Sequence, residues 1–427
     1  MTTQHDEGDR LFLIAENLAK DFSLFAERET DAIEDHVEGL LSLQEIDGAL
    51  KKLRNLDIDS YIERCVAPAE APGRMGARAL VEQLGRPVDV EEDGPFYSAL
   101  VAMDFPHEDG TAEQRLVGFI AQERGLSSGQ WMPSHHRAAA RRLEDWSKRQ
   151  YPVVSFMDTV GADSGAEANA DNQAHAISLL IAEMCNADIP TIGIILGLGY
   201  SGGAIPLAAS NMILSVRDGV FNTINPKGLA NIARKYNLSW QECAKLVGVS
   251  AYELYEQGNI DGIIDYVPGE EEKLDNLRAA IVTGIQNVER SVGRFVADNQ
   301  YIVDHYRRAL ERYLDPAPKL VPPEASSSLS MTRSITARTN AVGGAYRYLR
   351  YHGVRRRIRS RSTKQYGRLA DAEIPRGELS ARQEREQRRA FLSWLQDPEK
   401  VVYDDALARA WKNYVEKKQA VHDERGR

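Results

Sequence analysis

Cysteine is scarce: the 427-residue chain has three, Cys65, Cys185 and Cys243, widely separated and without C-x-x-C spacing. That argues against a disulfide framework and a zinc ribbon, and leaves each thiol as a small buried hydrophobe. Long apolar runs are missing too. No stretch reaches the roughly eighteen apolar residues of a membrane-spanning helix. The N-terminal "MTTQHDEGDRLFLIAENLAK" opens on acids, without the basic stretch of a signal peptide. A cytoplasmic location and no membrane partner are expected. One segment lacks acid altogether: residues 333–368 hold 11 Lys and Arg and no Asp or Glu. Residues 1–64, by contrast, carry 16 acids against 7 bases, in a chain of net charge −10.

What is present is an ordinary globular composition, 43% apolar and 27% charged, in a chain too long for one growing core. Residues 9–64 repeat apolar positions at three- and four-residue spacing without proline, which predicts a helical strip. "VAPAEAPGRMG", 66–76, breaks that pattern and reads as a boundary. "FYSALVAMDF" and "RLVGFIAQER" predict an antiparallel pair. Then come a helix around "HHRAAARRLEDWSKRQ", the strand "YPVVSFMDTV", a helix around "NADNQAHAISLLIAEMCNA", the strand "TIGIILGLG", a helix opening at Ser201 and the strand "MILSVRD". This alternation predicts β-α-β units and a mostly parallel sheet. One or two helices are expected over 271–313. "DPAPKLVPPEASSSLS", 315–330, reads as a linker before a charged helical C-terminal region. The expected divisions are 1–65, 66–313, 314–330 and 331–427.

Glycine concentrates where two strands end, in "FMDTVGADSGAEA" (156–168) and "GLGYSGGA" (197–204). If each opens a helix, unpaired backbone N–H groups can hold a negative oxygen there, and glycine lets a ligand come close. The bland alternative is a pair of tight turns packed for sheet geometry. A phosphate loop fits poorly: Gly197, Gly199 and Gly202 match G-x-G-x-x-G by spacing, but late in the domain and without the acidic partner downstream. "GYSGG" also satisfies the G-x-S-x-G nucleophile elbow, which keeps a hydrolase built on Ser201 in view; the histidines that follow it, His305, His352 and His422, lie outside the core unit.

Taken together, "SFMDTVGADSGAEANADNQAHAIS", "TIGIILGLGYSGGAIPLAASNMIL", "FNTINPKGLANI" and "AKLVGVSAYELYEQGNIDGIID" resemble, in order and spacing, the α subunit of bacterial acetyl-CoA carboxylase carboxyltransferase, in the crotonase-like superfamily. The resemblance covers about 150–270 firmly and 95–313 more loosely. It implies an α/β, crotonase-like β-β-α superhelix with helical N- and C-terminal extensions. It further implies transfer of a carboxyl group between carboxybiotin, carried on a separate protein, and an acyl-CoA, with backbone oxyanion holes, no side-chain nucleophile and no metal. The matching donors would be Gly161, Ala162, Gly202 and Gly203, with Gly199, Tyr200, Ser201, Asn225, Pro226 and Gly228 lining the substrate or biotin side. Asp158 and Thr159 would shape the turn. The implied partners are a β-type carboxyltransferase subunit, a biotin carboxyl carrier protein and a biotin carboxylase, in an oligomer. A biotin-dependent acyl-CoA decarboxylase subunit and an inactive carboxyltransferase-like scaffold are the alternatives.

The chain departs from the family's pattern. "GEGGSGGA" becomes "GLGYSGGA", "SPEG" becomes "NPKG" and "DTPGAYPG" becomes "DTVGADSG", which puts Leu198, Tyr200 and Lys227 in unusual places. Tyr200 is expected at the pocket mouth, where it would reshape the site. The pair His135–His136 is expected in a solvated first helical turn rather than a metal site. The basic tract 347–368, with Tyr346, Tyr348, Tyr351 and Tyr366 among its arginines, is expected to dock on an acidic neighbour such as residues 1–64. Nucleic acid is the less favoured partner for it.

Overall fold

The computed structural model describes residues 37–107, 109–298, 343–351, 353, 354 and 357. Helix α1 (Leu43–Arg54) starts at a capping box formed by Ser42 and Glu45. After α2 (Ile58–Tyr61), a π-helical turn (Ile62–Val66), α3 (Ala67–Glu70) and α4 (Ala77–Leu84), the chain enters β1 (Pro87–Asp93), β2 (Phe96–Pro106) and β3 (Ala112–Gln122). Then follow β4 (Gln130–Trp131), α5 (Pro133–Lys148), β5 (Val153–Thr159), β6 (Gly161–Ala162), α6 (Ala166–Ala170) and α7 (Gln173–Asn186). The central strand β7 (Thr191–Tyr200) leads to α8 (Ser201–Ala204), β8 (Met212–Val216), β9 (Val220–Asn222), α9 (Pro226–Ile232), α10 (Trp240–Val247) and α11 (Ala251–Glu256). Strand β10 (Gly262–Ile264), α12 (Leu274–Asp298) and a helical segment, α13, at 343–351, 353–354 and 357 complete it.

The main sheet runs β1-β2-β3-β5-β7-β8-β10, and β9 pairs with the far end of β7. Strands β1 to β3 are antiparallel, as expected for the β2–β3 pair. From β3 onward the neighbours are parallel. Strands β5 and β7 are buried at every residue, which is why they read as apolar runs rather than as alternation. Even so, their two faces separate. Val154, Phe156, Ile192, Ile194 and Leu196 join the cluster under α12, while Val153, Met157 and Ile195 join that under α5 and α7. A third cluster, with Tyr61, Cys65, Val66, Ala69, Leu198, Tyr200, Val220, Val247 and Val249, lies beneath the N-terminal helices.

Two expectations change here. Residues 66–76 are not an open break: Ala69 is fully buried, and Arg74 forms an ion pair with Asp218 and donates to the Leu196 carbonyl at 2.7 Å. Among the described residues, the start of the basic tract docks on this chain's own core. Arg350 is fully buried and donates to the carbonyls of Ala187 (2.5 Å) and Ile189 (2.6 Å), to Thr191 Oγ1 and to Asn211 Oδ1. It thereby satisfies carbonyls at and just beyond the negative end of α7, a natural place for a cation. Arg357 pairs with Asp261 at 3.0 Å. Residues 9–36, the linker 315–330 and 358–427 lie outside the described residues.

Candidate functional site

The C-terminal ends of parallel strands are where open α/β sheets bind ligands, and here β3, β5 and β7 deliver residues 122–124, 158–163 and 200–204 to one edge. Asp158 ties them together. Its Oδ1 accepts from Leu198 N–H at 2.9 Å and from Arg124 Nε at 3.1 Å, across the register break between β5 and β7. Burial pushes this carboxyl above its ordinary pKa, and Arg124 opposes the shift. A Cβ on Gly197 would collide with the Asp158 carboxylate, so that glycine serves the strap rather than a ligand.

The turn after β5 differs from the expectation. Gly161 and Ala162 do not open a helix. They form β6, paired in parallel with Gln130 and Trp131 of β4, and α6 starts only at Ala166. Gly161 sits at φ +137, where a side chain would be strained, and its N–H donates to Thr159 Oγ1 at 3.1 Å. Thr159 Oγ1 in turn donates to the Gly129 carbonyl at 2.6 Å. The backbone N–H of Gly161 is therefore spent inside the turn. Asp158 and Thr159 hold the local shape.

In the turn after β7 the strand does not end at the glycines; it continues to Tyr200. Leu198 and Tyr200 carry on the face begun by Ile192, Ile194 and Leu196, as strand alternation requires, and they insert into the third cluster. Tyr200 is 1% exposed, and its hydroxyl has no hydrogen bond among the described residues. It is not at the mouth of a pocket. Both departures from the family's glycine motif thus fill the space under Tyr61, Cys65 and Ala69. Gly199, on the opposite face, leaves room for the Phe221 ring, 2.6 Å from where its Cβ would stand.

At Ser201 the backbone enters the left-handed region, φ +56, and four residues of helix follow. That is the strand–turn–helix form of an elbow, but among the described residues no imidazole is hydrogen-bonded to Ser201 Oγ. His136, whose ring reaches this turn, places Nε2 3.2 Å from the Gly202 carbonyl and Nδ1 3.0 Å from the Met132 carbonyl. His305 and His422 lie outside the described residues, and so does the placement of His352.

His135 and His136 are therefore not solvated. They are 5% and 0% exposed, because His136 shares a helical face with Ala139, Ala140, Leu143 and Trp146. Trp131 packs edge-on against His136, with 5.2 Å between ring centroids. Burial drives the His136 pKa down to about 4. His135 Nδ1 accepts from Met132 N–H at 3.0 Å and closes the start of α5.

Gly202 is half-exposed. A Cβ there would meet Ile177 Cδ1 at 2.8 Å and Ala162 Cβ at 3.5 Å. Gly203 is buried against the other turn, its notional Cβ 2.7 Å from the carbonyl carbon of Gly161. The two glycine turns are thus in contact. Ala162, Ile177, Ser201 and Gly202 form a half-exposed lip with no charged side chain. Asn225 spends its side-chain oxygen on Lys227 N–H at 2.9 Å as the cap of α9; Pro226 is buried in the first turn, and Gly228 lies over Ile224. Lys227 Nζ stands 5.3 Å from the centre of the Trp240 ring. Among the described residues no three His, Cys, Asp or Glu side chains gather as a metal site, and no helix is long and apolar enough to cross a membrane.

Residues 120–302 match the family described as acetyl co-enzyme A carboxylase carboxyltransferase-like. The acetyl-coenzyme A carboxylase carboxyl transferase subunit alpha of Brucella anthropi is 32% identical over 163 residues, 36% of this chain and 51% of the relative. That of Brucella ovis is 33% identical over 156 residues, 35% of this chain and 49% of the relative. The chain thus spans about half the length of these relatives. A transcarboxylase 12S structure aligns with a TM-score of 0.41 and 15% identity, over 64% of this chain and 49% of that one.

Proposed function

From the match of residues 120–302 to the acetyl co-enzyme A carboxylase carboxyltransferase-like family, we propose that the chain is an α-type carboxyltransferase subunit of a biotin-dependent acyl-CoA carboxylase. It moves a carboxyl group between carboxybiotin, held on a separate carrier protein, and an acyl-CoA. The observation that carries this reading is the contact of two glycine turns, 159–163 and 200–204, beside an uncharged lip that exposes the Gly202 backbone. When bound, carboxybiotin supplies the carboxyl group.

In this reading the chain's part is to bind and orient. The N–H groups of Gly202 and Gly203 stabilise oxygen charge as it develops, with Ala162 on the facing turn, and the apolar Ile177 side chain excludes water. The Gly161 N–H holds Thr159 instead, so Gly161 contributes shape rather than a donor. Ser201 provides the turn and not a nucleophile. A β-type subunit completes the acyl-CoA side, and a biotin carboxylase recharges the carrier. Co-purified with such a β-type partner, the protein exchanges carboxyl between malonyl-type CoA and free biotin. The absence of exchange across a panel of acyl-CoA esters overturns the reading.

A further inference from the structure

Two buried polar side chains outside the glycine motifs reach into the turn after β7. Gln122, the last residue of β3, is fully buried and donates from Nε2 to the Gly203 carbonyl at 2.8 Å; its Oε1 has no hydrogen bond among the described residues. His136, also fully buried, faces the Gly202 carbonyl from Nε2 at 3.2 Å. The ring is clamped by Trp131, which donates from Nε1 to the Pro95 carbonyl. A third carbonyl, that of Ser201, accepts from Ile205 N–H at 3.1 Å. Three consecutive peptide groups are therefore held by their oxygens from behind.

A trans peptide is planar, with its C=O and N–H pointing in opposite directions. Fixing the oxygen of Gly202 thus fixes the N–H of Gly203, and the bond to Ser201 O does the same for the N–H of Gly202. We propose that His136 is a positioning residue for carboxyl transfer: gripping the carbonyl of Gly202, it aims the Gly203 N–H at the reacting oxygen, while Gln122, gripping the carbonyl of Gly203, fixes the next peptide, that of Ala204, and so steadies the turn from the other side. This rests on the carboxyltransferase reading above. Both ring nitrogens of His136 face acceptors, Gly202 O and Met132 O, and a neutral imidazole donates only once. The Nε2–H form is the one that serves the turn. Neither side chain touches substrate.

The test uses the complex with a β-type partner and the variants His136→Phe, His136→Gln and Gln122→Met. His136→Phe keeps a ring against Trp131 but cannot donate, and is expected to lower kcat of carboxyl exchange roughly ten- to a hundredfold with KM within about twofold. His136→Gln restores an N–H donor and recovers most of kcat. Gln122→Met lowers kcat in the same sense and keeps the test alive if His136→Phe does not fold. Because the chain has two Gly-Gly peptides, 202–203 and 343–344, labelling glycine with 13C at the carbonyl and 15N isolates the Gly202–Gly203 amide in the spectrum, and Gly343→Ala removes the other signal. That amide shifts in His136→Phe and returns in His136→Gln. An active wild-type complex with a folded His136→Phe of unchanged kcat overturns the positioning role alone, as does His136→Gln that restores the amide signal but not kcat. An inactive wild-type complex overturns the carboxyltransferase reading, and the positioning role with it.

Discussion

The two glycine turns meet, yet they are built in opposite ways. After β5, the N–H groups are consumed: that of Gly161 by Thr159 Oγ1, that of Asp163 by the Trp131 carbonyl. After β7 it is the carbonyls that are consumed, by Ile205 N–H, His136 and Gln122. One turn is a wall stiffened from its donor side. The other is stiffened from its acceptor side, and among the described residues no hydrogen bond ties down the N–H groups of Gly202 and Gly203. Glycine content alone does not separate them, because one needs glycine for its φ and the other for close approach.

The sharpest break of this comparison is Gly203→Val. Its Cβ would stand 2.7 Å from the Gly161 carbonyl carbon and 2.9 Å from Thr159 Cγ2, and backbone does not give way as a flexible side chain does. A loss of roughly 3 to 4 kcal/mol is expected in denaturant unfolding, with activity lost along with the fold. Gly202→Ala meets only the end of the Ile177 side chain, so stability falls by less than about 1 kcal/mol while exchange activity drops. Equal destabilisation by the two would remove the distinction between a packed and a presented glycine.

Acid acts on the second turn through His136. Its imidazole binds a proton less readily in the folded protein, about pH 4 against an ordinary 6.5. The group therefore contributes stability above pH 6.5, and that contribution fades as pH falls from 6.5 toward 4. At about 1.4 kcal/mol per pH unit for one proton, roughly 2 to 3 kcal/mol is at stake. The wild-type protein is expected to lose more stability over that window than His136→Phe, measured by urea unfolding at each pH. Parallel pH profiles would mean that the ring is not held neutral.

The first turn is tested by Thr159→Val, which keeps the volume and strands the Gly129 carbonyl and the Gly161 N–H. A cost of about 1 to 2 kcal/mol is expected. Thermal unfolding reads it, and an unchanged melting temperature would show that the hydroxyl does not hold the turn.

The α/β order, the antiparallel β2–β3 pair and the parallel run through β5, β7 and β8 were legible because buried strands and amphipathic helices differ in length and period. His136 was legible too, since it falls in step with Ala139, Ala140, Leu143 and Trp146, but a polar pair opening a helix invites a solvated reading. Gln122 was not: the tail of β3 carries no motif, and its partner lies 81 residues on. Nor was the fate of the Gly161 N–H, which turns on one rotamer of Thr159. The packing of 66–76 was not legible, because Pro and Gly mark local backbone breaks, while Arg74 and Asp218 join the segment to the sheet across 144 residues.

Tyr200 offers the smallest effect. The run Ile192, Ile194, Leu196, Leu198, Tyr200 has strand period to its last member, and the dense glycines between obscure it. Because the Tyr200 hydroxyl is buried without a partner among the described residues, Tyr200→Phe removes a desolvated oxygen. A gain of up to about 1 kcal/mol in stability is expected, with kcat and KM of carboxyl exchange unchanged. A changed KM would place the ring against substrate, and with it the family's missing glycine at the pocket rather than under the N-terminal helices. An unchanged KM with raised stability fixes the departure as packing beneath the N-terminal helices.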